Sequence, residues 1–234
     1  MKNKIALFSL CFILFSCDEL QQVVNQLPQG GAIGNDQIAN GLREALDFGI
    51  DKQVTKLTQT DGFFKNELVK ILLPEELQKV DNTLRKMGLS NLADEGLKVL
   101  NRAAEDAVKE ATPIFVDAVK GITFSDAKQI LLGGDNAATN YLKSTTETNL
   151  YSSFNPVIKS SFEKVGADQV WSNLITKYNN IPFVAKVNPD LTDYVTQQAL
   201  KGVYTMIAVE EKEIRTKAAS RTTVLLQKVF ALQD

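Results

Sequence analysis

Apolar residues recur along most of this chain at intervals of three and four, the period of a helix with one buried face. Ile38, Leu42, Leu46, Val54 and Leu57 mark a first helix, opened by Asn35-Asp36 and broken at Asp61-Gly62. Phe63-Phe64 then reads as a loop anchor, and Glu67 to Leu73 as an extended or single-turn segment, because a lone strand has no partner here. Pro74 suits a first helical turn leading to Leu77, Val80, Leu84 and Met87, with Gly88 as the stop. Ser90 caps the next helix, whose small residues at 103, 104, 107 and 111 invite close approach by a neighbour. Pro113 kinks or divides that helix before Gly121 ends it.

Ser125 is expected to cap a short helix running to Leu132. Gly133-Gly134-Asp135 follows, and a long pattern through Tyr141, Leu142, Leu150, Phe154 and Phe162 continues to about Val165, bent near Pro156. The junction predicts at least one glycine with positive φ and Asp135 as the cap of the second helix. Asp168 to Tyr178, with the chain's one Trp (Trp171), reads as a helix, and Asn180 to Pro189, with two prolines, as a long loop. Leu191 to Ile207 is strongly amphipathic and runs into Glu210-Glu211-Lys212-Glu213-Ile214-Arg215, and a last helix covers about Arg221 to Leu232. No strand series alternates with period two. The expected fold is all-α, a single compact multi-helix domain over 35–234.

The N-terminus breaks this pattern. Met1-Lys2-Asn3-Lys4 precedes an apolar run from Ile5 to Phe15, too short for the roughly 20 residues that span a bilayer. A basic start, a brief apolar core, then Ser16 and Cys17 predict a secretory leader over 1–17. Leu14-Phe15-Ser16-Cys17 resembles a bacterial lipobox, which implies that Cys17 is acylated and anchors the protein to the inner or outer membrane. Gln, Pro and paired Gly over 18–34 suggest a flexible tether, leaving the body in the periplasm or at the cell surface.

Composition narrows the chemistry further. The 234 residues carry 26 basic and 28 acidic side chains, a formal charge of −2. Removing Lys2 and Lys4 with the leader takes that to −4, so no basic excess invites nucleic acid. The chain has no His, and its two cysteines, Cys11 and Cys17, both lie in the leader. The body is therefore without a thiol and without the usual neutral-pH base or metal ligand. No cofactor and no metal site is expected.

Ser125-Asp126-Ala127-Lys128 matches the S-x-x-K of penicillin-binding serine enzymes, but no Lys-Thr-Gly companion follows, so cap and surface residue is the favoured reading. Gly133-Gly134 could form an anion nest were Asp135 not expected to fill it. Arg102 with Glu105, and Glu211 with Arg215, have helix-face pairing intervals. One polar pocket is the candidate site: Asn101, Arg102, Glu105, Asp135, Asn136, Glu210, Arg215 and Arg221.

Several of these stretches resemble a family of bacterial exported proteins catalogued only as a domain of unknown function. They are Gly41-Leu42-Arg43-Glu44-Ala45-Leu46, Asn101-Arg102-Ala103-Ala104-Glu105, Asp126-Ala127-Lys128 with Ile130 to Thr139, Glu210 to Arg215, and Arg221 to Leu226. The resemblance implies a helical fold and an exported, lipid-anchored or periplasmic location, and no mechanism. The resulting expectation is a non-catalytic binding or structural protein of the cell envelope. The alternatives are a carrier or sensor of a small apolar or amphipathic ligand, or a carboxylate-dependent hydrolase.

Overall fold

The computed structural model describes residues 34–231, apart from 87, 89, 167–175, 177–179, 181, 184–185 and 187–189. The leader, Cys17, the tether up to residue 33, most of the Trp171 segment, and much of the loop towards Pro189 lie outside the described residues. Within them the ordered elements are α1 (Asn35–Thr58), α2 (Glu75–Lys86), α3 (Ser90–Val108), α4 (Ala111–Lys120), α5 (Phe124–Leu132), α6 (Ala137–Val165), α7 (Leu191–Thr216) and α8 (Val224–Phe230). A short 3-10 turn, Ala218–Ser220, joins the last two. The fold is all-α, with no strand among the described residues.

The longest helices, α6 and α7, share the most extensive contact and run antiparallel. The C-terminal half of α7 meets the start of α6 through Glu211, while Asp193 near its start accepts from Tyr151 on α6. Helices α1, α3, α4 and α5 pack around this pair, and α8 lies on α1. Phe63, Phe115, Phe154 and Phe162 are fully buried, with Leu42, Leu100, Leu142 and Leu150 among them. Burying one such side chain contributes about 1.5–3 kcal/mol.

Small residues set the close approaches. Ala103, Ala104, Ala107 and Ala111 are all at most 1% exposed. An added Cβ at Gly41 would meet Val229 of α8 at 2.6 Å, and one at Gly202 would meet the Phe63 ring at 2.6 Å. The chain breaks between α3 and α4 at Lys109-Glu110, ahead of Pro113, which sits in the first turn of α4 where no helical donor is missed. Gly88, after α2, has φ of +79°, as a stop signal requires.

The start of α5 differs from expectation. The cap of α5 is Thr123, not Ser125: its hydroxyl accepts from the Asp126 amide at 3.2 Å, and Asp126 accepts from the Thr123 amide at 2.9 Å. The Thr123 hydroxyl, at 2.7 Å, and the Thr123 amide both donate to the Asp126 carboxylate and hold it below its ordinary value. Ser125 and Lys128 both face outward on α5. The capping box sits two residues upstream because it needs an acid three positions after the hydroxyl, and Asp126 supplies it to Thr123.

Candidate functional site

Neither glycine of the Gly133-Gly134-Asp135 junction has positive φ. Gly133 is extended, with φ −78° and ψ 176°, and is required for space: a Cβ there would meet the Ala137 Cβ at 2.5 Å and the Gln129 carbonyl at 2.9 Å. A Cβ on Gly134 would meet nothing. Asp135 does not cap α6. It is exposed in the turn, the cap position is Asn136, and the Asn136 side chain makes no capping bond either.

The free amides at the start of α6 are instead taken by α7. Glu211 accepts from the Ala138 amide at 2.9 Å, and from the Thr139 amide and hydroxyl at 2.8 Å each. A carboxylate here also sits at the positive end of the α6 dipole. One turn on, Arg215 donates to Glu211 through Nε at 2.9 Å and Nη2 at 2.8 Å. The same guanidinium reaches the last carbonyls of α5, Ile130 at 2.8 Å and Leu131 at 3.3 Å. One i,i+4 pair thus satisfies the end of α5 and the start of α6 together. Both side chains are under a tenth exposed.

Glu210 lies about 100° around α7 from Glu211 and so faces another element, α1. It accepts from Lys52 at 2.7 Å and from the Gln53 side-chain carboxamide at 2.6 Å, over Gly49, whose missing Cβ leaves it room. Arg221 closes the C-terminal end of α7, donating to the Ile214 and Arg215 carbonyls at 3.1 and 3.0 Å and lying over the Phe230 ring. Beside this cluster is a partly open apolar cavity of about 30 Å³, bordered by Leu46, Ile50, Ile207 and Phe230.

Asn101, Arg102 and Glu105 form a separate group on α3. The Asn101 carboxamide accepts from the Ile71 amide at 2.8 Å and donates to its carbonyl at 2.9 Å, acting as the strand partner that residues 67–73 lack. Glu105 accepts from the Phe63 amide at 3.1 Å and from Arg102 at 2.8 Å. Arg102 also pairs with Asp61 at 2.8 Å. Asp61 has φ of +65°, and the Lys65 ammonium bonded to it, then Arg102, hold its carboxyl below the ordinary value. These three residues therefore pin the loop between α1 and α2.

The eight candidate residues thus fall into three places. Phe63 of the loop held by α3 packs against Gly202, eight residues or about 12 Å along α7 from Glu210. Asp135 and Asn136 sit in the exposed α5–α6 turn. Sequence reasoning left Glu211 out of the site, although it occupies the apolar register Val203, Ile207, Ile214 of α7. A carboxylate on that stripe was the available signal. Lys52, Gln53 and Asp61 gave none, since their roles depend on long-range contact.

Chemically, the arrangement accepts hydrogen bonds from amides and cations already in place. Among the described residues no group of three or more acidic side chains could hold a metal ion, and no helix is long and apolar enough to cross a membrane. A family model described as a protein of unknown function (DUF4197) matches residues 32–231. No curated protein and no solved structure matches the chain.

Proposed function

The chain belongs to this family of unknown function, and on that premise we propose that it is a non-catalytic binding or structural module held at the cell envelope by acylated Cys17. The observation that carries the non-catalytic part is the use of its buried carboxylates. Glu105, Glu210 and Glu211 each accept from a backbone amide, a carboxamide or a cation that fixes a helix end or a loop. A general acid or base must instead face a substrate and exchange its proton there. The envelope part is supported by the order of basic start, apolar run, Ser16 and Cys17.

An apolar-ligand carrier finds less support. The apolar cavity beside Glu211, at about 30 Å³, has room for a water-sized guest and none for an acyl chain. The test of the proposal is metabolic labelling with a fatty-acid probe, followed by fractionation. The wild type incorporates the probe and sediments with membranes, whereas Cys17→Ser loses both properties. Equal labelling of the two would overturn the anchor.

A further inference from the structure

An open groove of about 460 Å³ lies between α6 and α7. Its walls are two facing stripes. Asn136, Asn140 and Lys143 stand on α6 at intervals of four and three, and Gln197 and Lys201 on α7 at an interval of four. Helical periodicity puts each set on one face. The α6 stripe continues to Glu147, eleven residues from Asn136, which gives a length of about 16 Å. That suits an extended oligomer better than a single ion. Leu200 and Ala208 line the apolar floor, together with Tyr204, whose hydroxyl is occupied by Thr146 at 2.8 Å.

The hydroxyls lining this groove are committed, Thr139 to Glu211 and Thr205 to the Lys201 carbonyl, but its carboxamides and one ammonium are not. The smaller concavity by α3, about 330 Å³, is lined by Arg102, Lys98 and Asp106, all in ion pairs. In the α6–α7 groove the Asn136, Asn140, Gln197 and Lys201 side chains make no hydrogen bond or ion pair among the described residues. Lys143 pairs loosely with Glu147 at 3.7 Å. A carboxamide offers a donor and an acceptor side by side. Hydroxyl and acetamido groups of a sugar chain present the same pairing, and a nearby ammonium matches a carboxylate substituent.

We propose that the groove between α6 and α7 binds an oligosaccharide carrying acetamido and carboxylate groups, its neutral groups held by Asn140 and Gln197 and its acid by Lys201. The choice of an envelope-type glycan rests on the location proposed above. Fractionation of Cys17→Ser reads that location without reference to binding, so the two ideas fail separately. The experiment is isothermal titration of the full chain in detergent micelles with a soluble tetrasaccharide of alternating N-acetylglucosamine and N-acetylmuramic acid. Its neutral counterpart of four N-acetylglucosamines serves as the second arm.

Saturable binding of the acidic tetrasaccharide is expected. Asn140→Ala and Gln197→Ala should each weaken it roughly five- to tenfold, the loss of one or two hydrogen bonds. Lys201→Ala should weaken the acidic sugar more than the neutral one. All three side chains are exposed, so melting temperatures should not move. Gln129→Ala, exposed on α5, is the control and should bind as wild type. Absence of saturable binding by the wild type overturns the proposal, as does equal binding by the groove variants and the control.

Discussion

Replacing Glu211 by Ala removes three acceptor contacts at once. The Ala138 and Thr139 amides and the Thr139 hydroxyl lose their partner where Ala138 and Thr139 are 2% and 6% exposed. Arg215 is left with its α5 carbonyl contacts and a buried, uncompensated charge. Breaking a buried ion pair from one side costs about 3–5 kcal/mol, and losing a helix cap about 1 kcal/mol. The pair loss and the cap loss overlap, so Glu211→Ala should destabilise by about 3–5 kcal/mol in total. Glu211→Gln keeps one acceptor and should cost about 1–3 kcal/mol. Arg215→Met in the Glu211→Ala background removes the stranded charge, so the double variant should be less unstable than the sum of the singles by roughly 1–3 kcal/mol. Urea unfolding of all four proteins gives the cycle. A Glu211→Ala loss under about 0.5 kcal/mol, the range of an ordinary surface change, would refute the clamp.

Gly133→Ala should cost about 1–3 kcal/mol through the crowding at Ala137 and Gln129, while Gly134→Ala stays within about 0.5 kcal/mol, both read from thermal melts. Asn101→Ala strands the Ile71 amide and carbonyl and should cost about 2–4 kcal/mol, with faster hydrogen exchange at the Ile71 amide. Burial pushes the Tyr204 phenol up to about 12 from its ordinary value of 10.0. The folded state therefore holds that proton after the unfolded chain has released it. The associated stability is complete below about pH 10 and is lost as pH rises through about 12. Melts from pH 8 to 11.5 should show this decline flattened in Tyr204→Phe.

The sequence carried the helices well because most have strong apolar periodicity and a local stop. Leu42, Leu46, Val54 and Leu57 report the buried face of α1 directly, and all are at most 7% exposed. The junction after Leu132 was misread because two glycines and an acid carry the same local signature whether they cap a helix or merely turn. The acceptor that decides between these readings comes from residue 211, more than seventy positions away. Ser125 was displaced as cap by Thr123 for a local reason that the position of Asp126 already contained. The single polar pocket divided because i,i+3 and i,i+4 spacing identifies partners along one helix and says nothing about which other element each side chain faces.

Buried charge in this protein fastens helix ends. Amide hydrogen exchange at Ala138 and Thr139 tests it most directly, because both amides lie in the first turn of α6, where helices ordinarily exchange fast unless capped. With Glu211 holding them, both should exchange in the wild type as slowly as the core of α6 at Leu150, and much faster in Glu211→Gln. Fast exchange of both amides in the wild type would contradict the claim.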